Sequence, residues 1–414
     1  MALLLALLLP AAATGALQTS PASTEPTIVV NGIRLGDARH QLEACLARHC
    51  PPLEDIEATL RYAEALFLNG RYADARAVLW SSIGRNRRFA SRYPVAVAGL
   101  FRGSARMAMQ EGDGADARRA TLSAEESLRA GLPASDPRIL GARLETADMF
   151  AALADGVTPD PASPNRFGRY ETAMRNFRDV ASAARRTGRP DLAALADLRR
   201  AILARRIGAS DSRQQLEAVA ALSDPRVRTQ RMAARILLAQ IDREAGNSAP
   251  MDRLADELAA AGQRDPVLLY APAIEVAQNS ALGMDHDWHA SSQGLTGDAL
   301  AIRNPDHDPA TESFDYWADI GFSIDAQGRV EDVEIVRAHG PQHWAQTVLH
   351  SIAGRIYSRP GPGAATHHVE RYRYTSLLAV NTGTHIASHS PQGRIEMIDI
   401  TDHRADAQPQ PSPG

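Results

Sequence analysis

The chain has 414 residues, too many for one small core, so two or three domains are expected. Its formal net charge is −4 and all 45 basic residues are arginine, which excludes a chain built throughout as a polyanion binder. From residue 291 onward, 9 arginines stand against 15 acidic residues, and that balance of −6 argues against a nucleic-acid site in the C-terminal part.

The first nine residues run Met1, Ala2, Leu3 to Leu5, Ala6 and Leu7 to Leu9, followed by Pro10 and Ala11 to Ala13. An apolar core followed by small residues reads as a secretory signal over residues 1–16, with Ala11 and Ala13 supplying a cleavage pattern. The stretch is shorter than the roughly 20 residues that span a bilayer. Residues 17–34, rich in Ser, Thr and Pro, read as a disordered tether. Cys45 and Cys50 follow, ahead of Pro51. An exported chain meets oxidising conditions, so a Cys45–Cys50 disulfide that pins a helix end is expected.

From residue 35 to 284 the pattern is helical almost throughout. Aromatics make up only 5% of the chain, so helices packed through small side chains are favoured over a β-sandwich. Asp136-Pro137, Asp224-Pro225 and Asp265-Pro266 each place an acid before a first-turn proline, which is a helix start. Gly70, Gly112, Gly188 and Gly246 supply helix ends. Three of these glycines lie in one spacing, small-x6-Gly-x4-Ala: Ala63, Gly70 and Ala75; Ala105, Gly112 and Ala117; Ala181, Gly188 and Ala193. Ala239, Gly246 and Met251 come close. A small residue lets two helices approach, glycine turns the chain, and alanine packs back.

On these residues, with Tyr72, Leu79 and Ser82 in the first unit, the region resembles the tetratricopeptide (TPR) repeat family. It departs from that family in having Arg87 where the closing proline would stand, and in uneven glycine spacing. The resemblance implies a solenoid of helical hairpins that binds other proteins.

Residues 285–313 lose periodicity and read as a linker. The period then changes to two. Tyr316, Ala318, Ile320, Phe322 and Ile324 alternate with Trp317, Asp319, Gly321 and Ser323, as in a half-buried strand. A turn at Asp325 to Gly328 leads to a returning strand over 330–336. A helix over 342–354 follows, with Trp344, Val348 and Ile352 on one face. A short strand around Ile356 and a long one over 369–380 complete the order ββαβ.

The stretch containing Phe322, Ile324, Asp325, Gly328 and Val330, with Tyr357 and Pro360 after the helix, resembles the TonB C-terminal domain family over residues 314–381. His339, Gly340 and Pro341 depart from the family's usual approach to the helix. The resemblance implies a fold and a sheet edge that accepts a partner's strand; it implies no catalytic residue. Residues 382–402 read as an added β-hairpin turning at Ser390 to Gly393, and residues 403–414 as a disordered tail.

Eleven of the 13 histidines follow residue 285, and their pattern matches no metal-ligand spacing, so solvated polar residues are expected. If a metal binds, His286 and His289 in the linker are the first candidates. The sequence shows neither a nucleophile elbow nor a phosphate-binding glycine loop. The arginine pairs on helices are expected to face solvent or to pair with nearby acids; an acidic peptide in the repeat groove is the sharper alternative.

The fold class expected is mainly α, a TPR-like helical-hairpin solenoid followed by a small α+β domain similar to the TonB C-terminal domain. The function expected is that of a non-enzymatic, exported adaptor in the periplasm. Its partners would be proteins of the cell envelope, outer-membrane receptors among them, with no cofactor, nucleic acid or small-molecule substrate. Two alternatives remain: an energy transducer anchored in the inner membrane by an uncleaved N-terminus, and a metal-binding protein using the histidine-rich linker.

Overall fold

The computed structural model describes residues 35–155, 165–274, 316–339, 342–364, 366–380 and 387–401. Among these residues eleven helices come first: α1 (Leu35–Ala47), α2 (Pro52–Leu68), α3 (Tyr72–Asn86), α4 (Pro94–Gln110), α5 (Gly114–Gly131), α6 (Pro137–Asp155), α7 (Asn165–Arg186), α8 (Pro190–Arg206), α9 (Ser212–Ala220), α10 (Arg228–Glu244) and α11 (Ala249–Ala260). Proline stands in the first turn of α2, α4, α8 and α11, where its missing N–H would have no helical partner. Asp136 and Asp224 each accept the backbone N–H two residues on, at 2.9 Å, and so start α6 and the 3-10 turn before α10.

The corners follow from glycine. Gly70 sits at φ 74°, and the N–H groups of Gly70 and Arg71 return to the carbonyls of Phe67 and Leu66. This is the Schellman pair that occupies carbonyls left over at the end of α2. The same pair of bonds closes α4 at Gly112 and α7 at Gly188.

Consecutive helices pack against one another, and the even-numbered helices also stack: α2 on α4, α6 on α8, and α8 on α10. This stacking makes α2–α3, α4–α5, α8–α9 and α10–α11 the hairpins of the array. Gly188, expected within a hairpin, joins α7 to the first helix of the α8–α9 hairpin. The α8–α9 hairpin turns at Gly208 instead, at φ 72°. A chain of small clusters runs along the array, from Ile56, Leu66 and Leu79 through Leu144 and Phe177 to Leu198 and Leu216. Ala75, Ala117, Ala124, Ala147, Ala173 and Ala196 are buried between helices, as the low aromatic content implied.

The expected helix start at Asp265-Pro266 is not one. The chain is extended there, and β1 (Leu268–Tyr270) pairs antiparallel with β4 (Ile356–Tyr357). Pro272 stops any helix that would follow, and the side chains of Leu268 and Leu269 are taken up by tertiary packing. The end of the helical array is thereby stitched to the C-terminal part.

That part holds β2 (Tyr316–Ile324), β3 (Val330–His339), α12 (Gln342–Ala353), β4, β5 (His367–Val380) and β6 (Ala387–Asp399). The four long strands form an antiparallel sheet in the order β3-β2-β5-β6. Asp325 builds the β2–β3 turn: its Oδ1 accepts the N–H of Gln327 at 2.9 Å and of Arg329 at 2.7 Å. Ala318, Ile320, Phe322 and Ile324 of β2 pack with Tyr372 and Tyr374 of β5 and with Ala345, Val348 and Ile352 of α12.

Two expectations change. Strand β2 is not half-buried, because Asp319 on its polar face is 1% exposed. The expected turn at Ser390 to Gly393 is a bulge in one continuous strand: Gly393 pairs with Ser376 and His389 with Leu378, so β6 spends four positions where β5 spends two. Pro391, which has no N–H for a ladder, falls within that bulge.

Candidate interaction site: the sheet docked on the helix corners

Register decides which side chains leave the sheet core. In the β2–β5 ladder Trp317 faces Arg373, and Asp319 faces Arg371. All four lie on the face opposite α12. A buried arginine needs a partner, and Asp319 supplies it: Arg371 Nε reaches Oδ1 at 2.6 Å and Nη2 reaches Oδ2 at 3.0 Å. Arg337 on β3 also donates to Asp319. Burial works against the Arg371 charge, but Asp319 holds its proton above the ordinary arginine range.

The remaining Nη1 of Arg371 crosses to the helical array. It donates to the carbonyl of Leu68 at 2.8 Å and of Phe67 at 3.3 Å. These carbonyls end α2, at the negative pole of the helix. The next hairpin is met in the same way. Thr375 Oγ donates to the carbonyl of Gln110, the last residue of α4, at 3.1 Å, and Arg373 Nη1 donates to the Gln110 side chain at 2.9 Å. Thus β5 caps the C-termini of α2 and α4 with Arg371 and Thr375, four residues apart on one face of the strand, and Arg373 between them holds the Gln110 side chain.

Rings fill the space between. The Arg373 guanidinium lies 3.7 Å from the Tyr72 ring centre, and Arg371 lies 4.8 Å from that of Trp317. A side chain at Gly70 would meet Trp317 Nε1 at 3.3 Å, so this corner needs glycine both for its backbone and for the indole. Ile398 of β6 packs on the first core cluster of the array.

The far end of the array is held too. Gln240 on α10 donates to the Leu269 carbonyl at 2.8 Å, and Ser358 exchanges hydrogen bonds with Val267 at 2.8 and 2.9 Å. Ser351 on α12 donates to the Pro272 carbonyl at 2.7 Å. The sheet unit therefore bridges the first hairpins and the last one.

A second buried network lies on the α12 side. Arg355 donates to both oxygens of Glu370, at 3.0 and 2.8 Å, and to Tyr357 Oη at 3.1 Å; Tyr372 donates to Glu370. Burial pushes the Tyr357 hydroxyl up to about 12, and it pushes Tyr372 well above its usual value, with Glu370 adding to the effect. These groups are enclosed and hydrogen-bond to one another, so they serve the fold.

The sequence-derived candidates fall as follows. Cys45 and Cys50 are joined in a disulfide, Cα to Cα 5.2 Å, around His49 at φ 57°. Among the described residues the single group of close metal-ligand types is Cys45, Cys50 and Glu54, and its two sulfurs are taken by that bond. His286 and His289 lie outside the described residues, as do residues 1–34 and 403–414. His367 and His368 stand side by side on β5, and the His368 ring stacks on Phe322 at 5.4 Å. No helix of the described residues is long and apolar enough to cross a membrane.

Sequence reasoning missed Asp319, Arg371 and Arg373 as an interface. The available signal was the alternation Glu370, Arg371, Tyr372, Arg373, Tyr374, which places two arginines on one face of a strand opposite Asp319.

The class defined by this architecture is a TPR-like helical-hairpin array, here carrying a docked antiparallel sheet. No family model matches the chain, and no curated relative matches it. Among solved structures the chain is similar to BtubC (BKLC) from P. vanneervenii, with a TM-score of 0.42 and 15% identity over 59% of this chain and 96% of that one. It is also similar to a thermophilic TPR protein of Thermus thermophilus, with a TM-score of 0.32 and 20% identity over 50% of this chain and 89% of that one.

Proposed function

We propose that this protein is a non-enzymatic adaptor of the bacterial periplasm, exported by its N-terminal segment, that holds protein partners on its helical array. The observation that carries this reading is the capping of α2 and α4 by Arg371, Arg373 and Thr375: the array already binds a folded β-element through side chains laid on its corners. Arrays of this kind present extended surfaces for other proteins.

The C-terminal unit serves this scaffold as a clamp. The strand order β3-β2-β5 with α12 on one face supports its kinship with TonB-type C-terminal domains. Its use differs from that of a free docking arm. The face carrying Asp319 and Arg371 is buried on the array, and the edge strand β3 has two bulges, one at Asp332 with φ 53°. Bulges re-aim an edge and shorten the run that a new strand joins. Strand addition at β3 is thereby disfavoured, and with it the transducer alternative.

The test is cross-linking of the full-length chain in whole envelopes, followed by mass spectrometry and sequencing of the mature N-terminus. Envelope proteins linked to the helical array, together with a start near Thr14 or Leu17, support the adaptor. An uncleaved N-terminus with receptors linked to β3 would restore the transducer; an absence of protein partners would overturn both readings.

A further inference from the structure

The two ends of the hairpin array differ sharply in charge. The corners that meet the sheet lie where the even-numbered helices end. The opposite rim consists of the connections that lead into those helices, at residues 47–55, 84–94, 129–138, 185–191 and 222–231. These five loops hold 13 arginines against 5 carboxylates, a balance of +8 in a chain whose net charge is −4. The described loops of the sheet-side rim, at 68–74, 110–116, 205–213 and 242–252, hold 5 arginines against 8 carboxylates, or −3.

Neighbouring loops of this rim adjoin: Arg85 donates to both oxygens of Asp55, joining the second to the first. A side chain at Gly131 would strike the carbonyls of Ser91 and Ala90, so the second and third loops touch. Gln230 donates to the Asp191 carbonyl, joining the fourth to the fifth.

Part of this charge is spent internally. Seven of the 13 arginines are ion-paired: Arg138 and Arg226 each with the aspartate two residues before them, Arg189 with Asp191, Arg48 with Glu54, Arg85 with Asp55, Arg129 with Glu125 and Arg185 with Asp197. Arg87, Arg88, Arg92, Arg186, Arg228 and Arg231 have no carboxylate partner among the described residues, and all but the half-buried Arg231 are exposed. Three of the six stand together in the loop between α3 and α4.

We infer that this rim docks an acidic, extended polypeptide segment of a partner protein. An array whose other rim is covered by the chain's own sheet is thus offered a second, separate surface; the inference deepens the adaptor reading and rests on it. Charge complementarity carries it, since guanidinium groups match carboxylates bidentately and the unpartnered arginines lie on the second, fourth and fifth loops.

Two observations disfavour other polyanions. The Phe89 and Tyr93 rings each have an arginine over one face, at 4.8 and 5.2 Å, and both are half-buried, which leaves less ring surface for stacking a base. The loop tips carry small groups such as Ser91, Ala134 and Thr187, and the exposed apolar side chains of the rim, Leu53 and Leu222, stand singly on the first and fifth loops rather than as one patch that enters a bilayer. The interspersed Asp136, Asp191 and Asp224 repel a uniform phosphate chain, whereas a polypeptide can place its acids to avoid them.

The test uses the full-length protein with three probes: a fluorescent ten-residue glutamate peptide, a 20-nucleotide single strand, and vesicles containing anionic lipid. Peptide binding is expected to weaken at least tenfold from 50 to 200 mM salt. It should also weaken at least tenfold in the triple variant R87E/R88E/R92E, and stay unchanged in R253E, an exposed arginine away from the rim. Circular dichroism confirms that the variants are folded. Preferential binding of the nucleotide strand or the vesicles overturns the inference, as does peptide binding that the triple variant leaves intact or no peptide binding at all. Failure here leaves the envelope cross-linking result standing, so the two readings are tested apart.

Discussion

The helical array and the sheet differ in how much charge they bury: the array encloses few charged groups, Asp55 and Glu125 among them, and the sheet a cluster. In the array, small side chains close the gaps between neighbouring helices: Ala75, Ala124, Ala147 and Ala196 are all buried and carry no polar group beyond the backbone. In the sheet unit, the buried set includes Asp319, Glu370, Arg355, Arg371 and Arg373. The array is stable repeat by repeat, because each helix contacts only its near neighbours along the chain. The sheet depends on charges that are safe only while paired, and one of its pairs is completed by carbonyls of the array. Damage should therefore stay local in the first region and spread in the second.

The largest effect that would sharpen this contrast is Asp319→Ala. It strands the Arg371 guanidinium, which is 1% exposed, and it also frees Arg337. Removing one partner of a buried pair costs about 3–5 kcal/mol. Chemical unfolding should show that loss, with proteolysis between the sheet and the array rising in parallel. The double variant Asp319→Ala/Arg371→Met should recover much of it, because no charge is then left without a partner. If the single variant costs under about 1 kcal/mol, the sheet is not held by its charges and the contrast fails.

What the sequence shows of this contrast is uneven, for physical reasons. The array was legible because its signals are local: Gly70 and Gly112 turn the chain, Asp136-Pro137 opens a helix, and Ala63 and Ala75 sit at fixed distances from the turn. Strand β2 and its turn at Asp325 were legible for the same reason. Gly188 misled, because the same local spacing serves a corner within a hairpin and a corner that leads into one, and only the stacking of even helices separates them. Asp265-Pro266 misled because a helix start and an extended entry to a strand share that dipeptide, and β1 takes its partner from β4, some ninety residues away. Arg371 was missed entirely, since its second set of partners, Phe67 and Leu68, lies about three hundred residues away in the chain.

A smaller loss is expected at the beginning of the array. The Cys45–Cys50 bond closes a loop of sequence separation 5 and ties the end of α1 to the start of α2. The loop-entropy relation for so short a ring gives about 2 kcal/mol. For Cys45→Ser/Cys50→Ser, hydrogen exchange should accelerate in α1 and leave α4 to α8 unchanged. Acceleration throughout the array would show that it unfolds as one unit, and the local picture of its stability would not survive.

Two glycine variants separate the corner from the docking. Gly188→Ala meets only the cost of a side chain at φ 67°, with open space around it. That cost is about 1–2 kcal/mol. Gly70→Ala carries the same strain at φ 74° and adds a contact 3.3 Å from Trp317 Nε1. The Gly70 variant should therefore lose more, and it alone should shift the tryptophan emission. Equal losses with unchanged emission would mean that Trp317 is not seated on this corner.

The smallest effect concerns two aspartates of the array with opposite environments. For Asp55, burial opposes the charge, but Arg85 and Asn86 donate to its oxygens and hold the carboxyl below its ordinary value. Its contribution to stability is present at neutral pH and is lost as the pH falls through that lowered value. For Asp148, burial raises the carboxyl to about 6 and Glu145 adds to it, while Arg199, 3.9 Å away, offsets only part. The folded chain then holds this proton more tightly than the unfolded chain does. Stability accordingly falls as the pH rises from the ordinary aspartate value toward 6, and is flat above it. Asp148→Asn removes the titrating group, so its unfolding midpoint measured from pH 4 to 7 should lose that downward step while the Asp55-dependent loss at lower pH remains. If the two proteins trace parallel curves over that range, Asp148 is already charged at pH 4, and its neighbourhood is as well solvated as the outer faces of the array.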